Sequence, residues 1–187
     1  MAIRPETKRK NIIWERKNMQ NLSILAPILA ALALLFALYK ANYVSKSSVG
    51  TDRMKEISSA IAEGASAFLK AEYKILAFFI AALLVLIGLF IGWGTALCFL
   101  AGALCSILAG FFGMRVATKA NVRTAAAAME SGMNKALSIA FAGGSVMGMC
   151  VVGLGLLGCS LIYIITGNPQ ILFGFSLGAS SIALFAR

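Results

Sequence analysis

Long apolar stretches separated by short polar linkers dominate the sequence. Between Tyr73 and Arg115, for example, Lys74 is the only charged residue. A hydrocarbon layer about 30 Å thick is crossed by about 20 apolar residues of helix, so this stretch holds about two crossings and a turn. The pattern predicts five membrane helices, at about residues 22–43, 53–91, 95–116, 137–165 and 171–187.

The five segments are apolar on all sides, whereas strands of a transmembrane barrel alternate apolar and polar residues. The predicted fold class is therefore an all-α transmembrane helix bundle. Small residues recur every four positions in three helices, which would let neighbouring helices approach closely in lipid. The alternative interpretation is the ordinary glycine content of membrane helices. The positions are Gly102, Ser106 and Gly110; Gly144 and Gly148; and Gly174 and Gly178.

The beginning of the second helix is amphipathic. Its polar residues recur at steps of three and four, so they share one helix face. One interpretation is a helix that protrudes into the cytoplasm with a solvated face. The other is a polar face turned toward a catalytic or ion-conducting core, with Glu56 and Glu63 as the candidate side chains. The face consists of Glu56, Ser59, Glu63, Ser66 and Lys70.

Composition and charge agree with a membrane protein. Sixty per cent of the 187 residues are hydrophobic and 13% are charged, with a formal net charge of +10. The basic residues cluster at the ends of apolar runs, as in cytoplasmic loops, so no nucleic-acid partner is expected. Residues 40–74 and 115–135 are rich in basic residues, whereas residues 92–94 and 166–170 carry no charge. The positive-inside rule then places the N-terminus outside the cell membrane.

Residues 1–18 contradict this orientation, because they carry six basic and two acidic side chains. A signal-peptide n-region is one explanation, although no small-residue cleavage site follows and the apolar run is long for such a peptide. The other explanation, which we favour, is a natural start at Met19. We therefore expect a basic tail at 1–18 that is not native, followed by a transmembrane part at 19–187.

Candidate chemistry is sparse. The sequence has no histidine, and its four cysteines lie inside apolar runs without CxxC spacing, so they are expected to be packing residues rather than metal ligands. No phosphate-binding loop or paired-aspartate motif is present, and Asp52 is the only aspartate. Magnesium with a phosphate substrate needs clustered carboxylates, so no catalytic or metal-binding residue is expected in this chain. Arg187 follows an apolar run and is either a snorkelling residue or an intramembrane charge with a partner.

Several ordered motifs resemble the membrane-bound, ion-translocating pyrophosphatases, from about Met19 to Arg187. Residues 113–124 (GMRVATKANVRT) are similar to that family's linker between the third and fourth helices, and this is the most specific match. The other motifs resemble its second, fourth and fifth helices. They are residues 50–57, 62–69, 143–148, 152–158 and 174–187.

The resemblance implies a homodimer with about sixteen membrane helices per subunit, each able to cross the bilayer, of which this chain supplies five. It also implies cytoplasmic hydrolysis of magnesium pyrophosphate, coupled to outward pumping of H⁺ or Na⁺, with K⁺ as a possible further cofactor. In the family, an acidic, lysine-containing substrate motif follows the fifth helix, so we expect this chain to be inactive alone. The family's Ala-Leu-Phe-x-Arg run places Arg187 in the ion gate below the hydrolytic site. The alternative function is a non-enzymatic membrane scaffold or channel subunit that assembles through its glycine stripes.

Overall fold

The computed structural model describes the backbone of residues 5–186 and the side chains of residues 24–185. Within these residues the chain forms helices and no strand, which confirms the predicted all-α class. The basic tail expected at residues 1–18 and Arg187, the residue expected in the ion gate, lie outside the residues whose side chains are described. The helices are α1 (Pro5–Lys46), α2 (Asp52–Phe90), α3 (Trp93–Ser131), α4 (Met133–Thr166) and α5 (Pro169–Ala186).

Four helical stretches in the described part of the chain are long and apolar enough to cross a membrane. They are Ile24–Lys46 of α1 and the whole of α2, α3 and α4. The described part of α5, Pro169–Phe185, is apolar but shorter. The exposed surface of the bundle is rich in leucine, isoleucine and phenylalanine, including Phe78 and Phe90, each more than 80% exposed. Such a surface is stable in lipid, where apolar side chains need no covering layer.

Helix α3 extends further than the sequence pattern predicted. Residues 115–135 were expected to form a charged linker, yet the helix continues from Val116 to Ser131 and α4 begins at Met133. The linker is reduced to Gly132, whose φ of +82° is a conformation that other L-residues rarely adopt. The reason is the alanine-rich sequence of residues 125–128, which favours helix even where the chain leaves the apolar layer.

Helix α3 is the centre of the bundle. It packs against α4, α5 and α2, while α1 packs mainly against α4. The largest apolar cluster lies where α2, α3 and α5 meet, and it includes the fully buried Phe99 and Ile182. A second cluster, around Ala37 and Val146, joins α1, α3 and α4.

The contact between α3 and α5 is made backbone to backbone through glycines. A Cβ atom on Gly178 would collide with the carbonyl oxygen of Phe99, and one on Gly174 with that of Thr95. From the other helix, a Cβ atom on Gly102 would collide with the carbonyl oxygen of Phe175. The packing interpretation is therefore confirmed for the stripe on α5 and for Gly102 of α3, because only glycine permits this approach. At Gly110 an added Cβ would lie 3.7 Å from the hydroxyl of Tyr73, which is an ordinary contact.

The stripe expected on α4 behaves differently. Around Gly144 and Gly148 no described atom lies within 4 Å of an added Cβ. Close contacts of α4 are made instead by three other glycines: Gly143 faces the Cβ atom of Ala120, Gly153 faces Leu34 of α1, and Gly158 faces the ring of Phe175 of α5. Four-residue spacing marks a face without bulk, but it does not identify which neighbour, if any, packs there.

Candidate functional site at the charged end of the bundle

One end of the bundle gathers both basic linkers; we call it the charged end. It is formed by the C-terminus of α1, the first turns of α2 and the turn between α3 and α4. Arg123 of α3 donates from Nε to the carbonyl oxygen of Ser47 at 3.2 Å and from Nη2 to that of Ser45 at 3.3 Å. At Gly50, an added Cβ would lie 3.0 Å from the Cβ atom of Ala126. The turns at Gly92 and Gly167 lie at the opposite, uncharged end.

Tyr43 connects α1 to α4 at the charged end. Its hydroxyl lies 3.2 Å from Nζ of Lys135, which donates to it, and 3.4 Å from Oγ of Ser138. The ammonium groups of Lys135 and Lys40 lie 5.4 and 5.9 Å from the centre of the tyrosine ring. Because the ring face carries negative charge density, it attracts both cations and keeps them together despite their repulsion.

Glu56 and Glu63 are both exposed on the part of α2 that projects beyond the apolar stretch. Glu56 accepts from Nη1 of Arg53 at 2.7 Å, and one residue away Lys55 pairs with Asp52 at 2.9 Å. Exposed pairs of this kind contribute little to stability and are screened by salt. The first buried residue of α2 is Leu69, which follows both glutamates along the helix.

Arg187 lies outside the described residues, but α5, the helix that leads to it, contacts α2 in its last described turn. The rings of Phe185 and Phe79 form an edge-to-face pair with centroids 5.4 Å apart. Phe79 follows Lys74, the last charged residue of α2, by five residues, which is about 7.5 Å along a helix. The last described turn of α5 therefore lies inside the apolar layer, close to the level of Lys74, where the charged part of α2 ends.

A groove of about 690 Å³ separates α2 from α3 near the charged end. Its lining includes Lys70 of α2 together with Arg115 and Lys119 of α3. The sequence pattern did not predict that these three residues lie together. A usable signal was present, because Lys70 precedes Gly92 by 22 residues and Arg115 follows it by 23. When two antiparallel helices extend for equal lengths from the turn that joins them, their far ends lie at the same level.

No metal site was found in the part of the chain that the structure describes. It holds no group of three or more histidine, cysteine, aspartate or glutamate side chains that could bind an ion. One carboxylate oxygen, Oε2 of Glu72, is buried without a hydrogen-bond partner, but a single oxygen does not provide the six ligands that Mg²⁺ prefers. The residues present do not fit a magnesium site, and we assign the ion to none of them.

Comparison with known proteins agrees with the resemblance seen in the sequence. Residues 31–187 match the family described as inorganic H⁺ pyrophosphatase. The chain is 54% identical over 170 residues to a putative K⁺-stimulated pyrophosphate-energized sodium pump of Clostridium tetani, covering 90% of this chain and 25% of that protein. It is 46% identical over 171 residues to a K⁺-insensitive pyrophosphate-energized proton pump of Methanosarcina mazei, with the same two coverages.

A third relative is the K⁺-stimulated pyrophosphate-energized sodium pump of Thermotoga maritima. It is 38% identical over 183 residues, covering 86% of this chain and 25% of the relative. The chain thus spans a quarter of the length of the curated relatives that it matches. The family match covers far more than half of the chain, and the helices have the length and apolar character of membrane spans. This chain belongs to the inorganic H⁺ pyrophosphatase family.

Proposed function

We propose that this chain is the N-terminal transmembrane part, residues 19–187, of a pump that couples cytoplasmic pyrophosphate hydrolysis to outward transport of H⁺ or Na⁺. The family match over residues 31–187 carries the proposal. It is supported by relatives that are named as pyrophosphate-energized pumps. The grouping of both basic linkers at one end supports an orientation with the charged end in the cytoplasm and the N-terminus outside.

Within this pump, the chain supplies the helical framework and the hydrolytic machinery lies elsewhere in the protein. The sequence contains seven acidic residues. Asp52 and Glu56 are engaged in exposed ion pairs with Lys55 and Arg53. Hydrolysis of pyrophosphate requires several carboxylates to hold magnesium and activate water, and the magnesium neutralises phosphate charge. The chain alone is therefore proposed to be inactive.

Arg187 is proposed as the contribution of this chain to the ion gate, paired with carboxylates from a later helix. The support is the position of α5, whose glycines hold it directly on the backbone of α3. A helix fixed in this way positions its end rigidly, which suits a residue that must hold a charge inside the apolar layer. The edge-to-face pair of Phe185 and Phe79 fixes the last described turn against α2 as well.

The transported ion and the requirement for K⁺ are properties of the whole protein. The relatives include both a K⁺-stimulated sodium pump and a K⁺-insensitive proton pump at comparable coverage of this chain. Reconstitution of the full-length protein in inside-out vesicles distinguishes these cases. Pyrophosphate and Mg²⁺ are added outside, and uptake of Na⁺ and acidification are followed with and without K⁺. Failure to accumulate either ion would overturn the proposed function and favour the scaffold hypothesis.

The division of labour is tested by expressing residues 19–187 and the full-length protein side by side in membranes. We expect magnesium-dependent hydrolysis of pyrophosphate from the full-length protein only. Hydrolysis by residues 19–187 would show that this chain carries catalytic residues. Mass spectrometry of the natural N-terminus should find Met19, and a protein that begins at Met1 would contradict the proposed start. Chemical cross-linking of the full-length protein should give a dimer.

The role of Arg187 is tested in the full-length protein with Arg187→Lys and Arg187→Met. We expect Arg187→Met to reduce ion uptake per pyrophosphate hydrolysed, and Arg187→Lys to retain part of it. Arg53→Met is the matched control, since Arg53 is exposed and, among the described residues, forms its ion pair with Glu56 on the same helix. An unchanged ratio of transport to hydrolysis in Arg187→Met would exclude Arg187 from the gate.

A further inference from the structure

The groove between α2 and α3 has an amphipathic lining. Apolar side chains from both helices line it and are called its apolar wall here, and three cationic side chains also line it. The residues that matter are Leu69, Lys70, Tyr73, Phe111, Arg115 and Lys119. A volume of about 690 Å³ exceeds what one side chain could fill, and the groove opens on the surface of the bundle. It is large enough for a phosphate headgroup together with the first part of an acyl chain.

The three cationic groups lack counter-ions in the part of the chain that the structure describes. Ion pairs there join Arg53 to Glu56 and Lys55 to Asp52, and none involves the groove. No acidic residue lines the groove. Arg115 is oriented by stacking on Phe111, with its guanidinium carbon 5.0 Å from the ring centre. Three cations around one space favour an anionic occupant.

The groove also lies at the level of lipid headgroups. Lys70, Glu72 and Lys74 are the last charged residues of α2 before its apolar run, and Arg115 is the first after the apolar run of α3. Tyr73, which lines the groove, donates from its hydroxyl to the carbonyl oxygen of Ile107 at 3.3 Å, within the apolar run of α3. Basic pockets between membrane helices at this depth are suited to anionic headgroups, with the acyl chains against the apolar wall.

We propose that the groove between α2 and α3 binds an anionic phospholipid of the leaflet at the charged end, through Lys70, Arg115 and Lys119. The phosphate accepts hydrogen bonds from these side chains, and an acyl chain lies along Leu69, Tyr73 and Phe111. The lipid fills the space between α2 and α3 and contacts both helices at the membrane surface. This inference does not depend on pyrophosphate hydrolysis or ion transport, since it concerns lipid that is bound whether or not the protein turns over.

Lipid retention by the full-length protein tests the proposal. The protein is exchanged into nanodiscs of phosphatidylglycerol and phosphatidylcholine, extracted into mild detergent, and its bound lipids are counted by native mass spectrometry. The groove variant is Lys70→Gln/Arg115→Gln/Lys119→Gln. The control, Lys46→Gln/Arg53→Gln/Lys55→Gln, removes three charges from the same end outside the groove. We expect the groove variant to retain about tenfold less tightly bound phosphatidylglycerol than the wild type, and the control to retain as much as the wild type.

Equal retention by the two variants would overturn the proposal, as would equal retention of phosphatidylcholine and phosphatidylglycerol by the wild type. Displacement of the lipid by millimolar inorganic phosphate would also overturn it, because the site would then recognise free phosphate. A groove variant that fails to fold is replaced by Ser66→Trp. Ser66 lines the groove and is exposed, so the indole fills the space while all three charges remain.

Photo-crosslinking identifies the occupant directly. A benzophenone amino acid is placed at Ser66, in the groove, and in a separate protein at Phe68, which is 55% exposed and does not line the groove. In membranes of mixed lipids we expect the groove position to capture phosphatidylglycerol selectively, and the Phe68 position to capture lipids in proportion to their abundance. Capture of another segment of the protein at Ser66 would show that a helix, rather than a lipid, occupies the groove.

Discussion

The guanidinium group of Arg123 on α3 caps the C-terminal end of α1 through the carbonyl oxygen of Ser47, which lies 3.2 Å from its Nε. The same group reaches the carbonyl oxygens of Ser45 at 3.3 Å and Lys119 at 2.9 Å. The last carbonyl groups of a helix have no partners within that helix and carry partial negative charge. A cation from a neighbouring helix therefore satisfies them and fixes the relative position of the two helices.

Replacement of Arg123 should loosen the charged end of the bundle. Arg123→Ala removes all three hydrogen bonds and leaves the α1 carbonyl groups to water, so we expect a loss of about 1–2 kcal/mol in the free energy of unfolding. Arg123→Lys keeps the charge but not the planar group and should lie between the two. Thermal unfolding of the purified full-length protein measures the effect. Lys55→Ala, which breaks an exposed pair, is the control, and an equal loss there would contradict the capping role.

How much of this arrangement the sequence could predict depends on the range of the interaction. The glycines of α5 were identified from their spacing, because a face without side-chain bulk is a local property of one helix. The open face at Gly144 and the capping role of Arg123 could not be found in this way, since both depend on the register of helices distant in sequence. Most of the linker expected at residues 115–135 is helical. The thickness of the membrane sets the length of the apolar run, but the helix itself can continue beyond the membrane.

The glycine contact between α3 and α5 should be sensitive to a single methyl group. Gly178→Ala places a Cβ against the carbonyl oxygen of Phe99, so the helices must separate, at a cost of about 1–3 kcal/mol. The measurement is thermal unfolding of the full-length protein in detergent. Gly64→Ala is the control, because no described atom lies within 4 Å of its added Cβ and alanine favours helix. Tolerance of Gly178→Ala would show that the contact is less close than described.

The Oε2 atom of Glu72 on α2 should contribute nothing to stability through hydrogen bonds with the described residues. This atom is buried and has no partner among the described residues, although a buried polar atom without a partner is costly. We expect Glu72→Gln to be neutral and Glu72→Leu to be neutral or stabilising by about 1 kcal/mol. Glu63→Gln, at an exposed position on the same helix, provides the baseline. A clear loss of stability in Glu72→Leu would mean that the carboxylate is paired with a part of the protein beyond this chain.

Thiol labelling distinguishes the two ends of the bundle across the membrane. The background is a full-length protein in which all native cysteines, including Cys98, Cys105, Cys150 and Cys159 of this chain, are replaced by alanine. Gly94→Cys then marks the uncharged end and Ser131→Cys the charged end. An impermeant maleimide added to intact cells should label Gly94→Cys alone, because the basic residues near Ser131 favour the cytoplasm. Permeabilised cells should show labelling at both positions, which controls for access. Labelling of Ser131→Cys in intact cells, with Gly94→Cys protected, would reverse the proposed orientation.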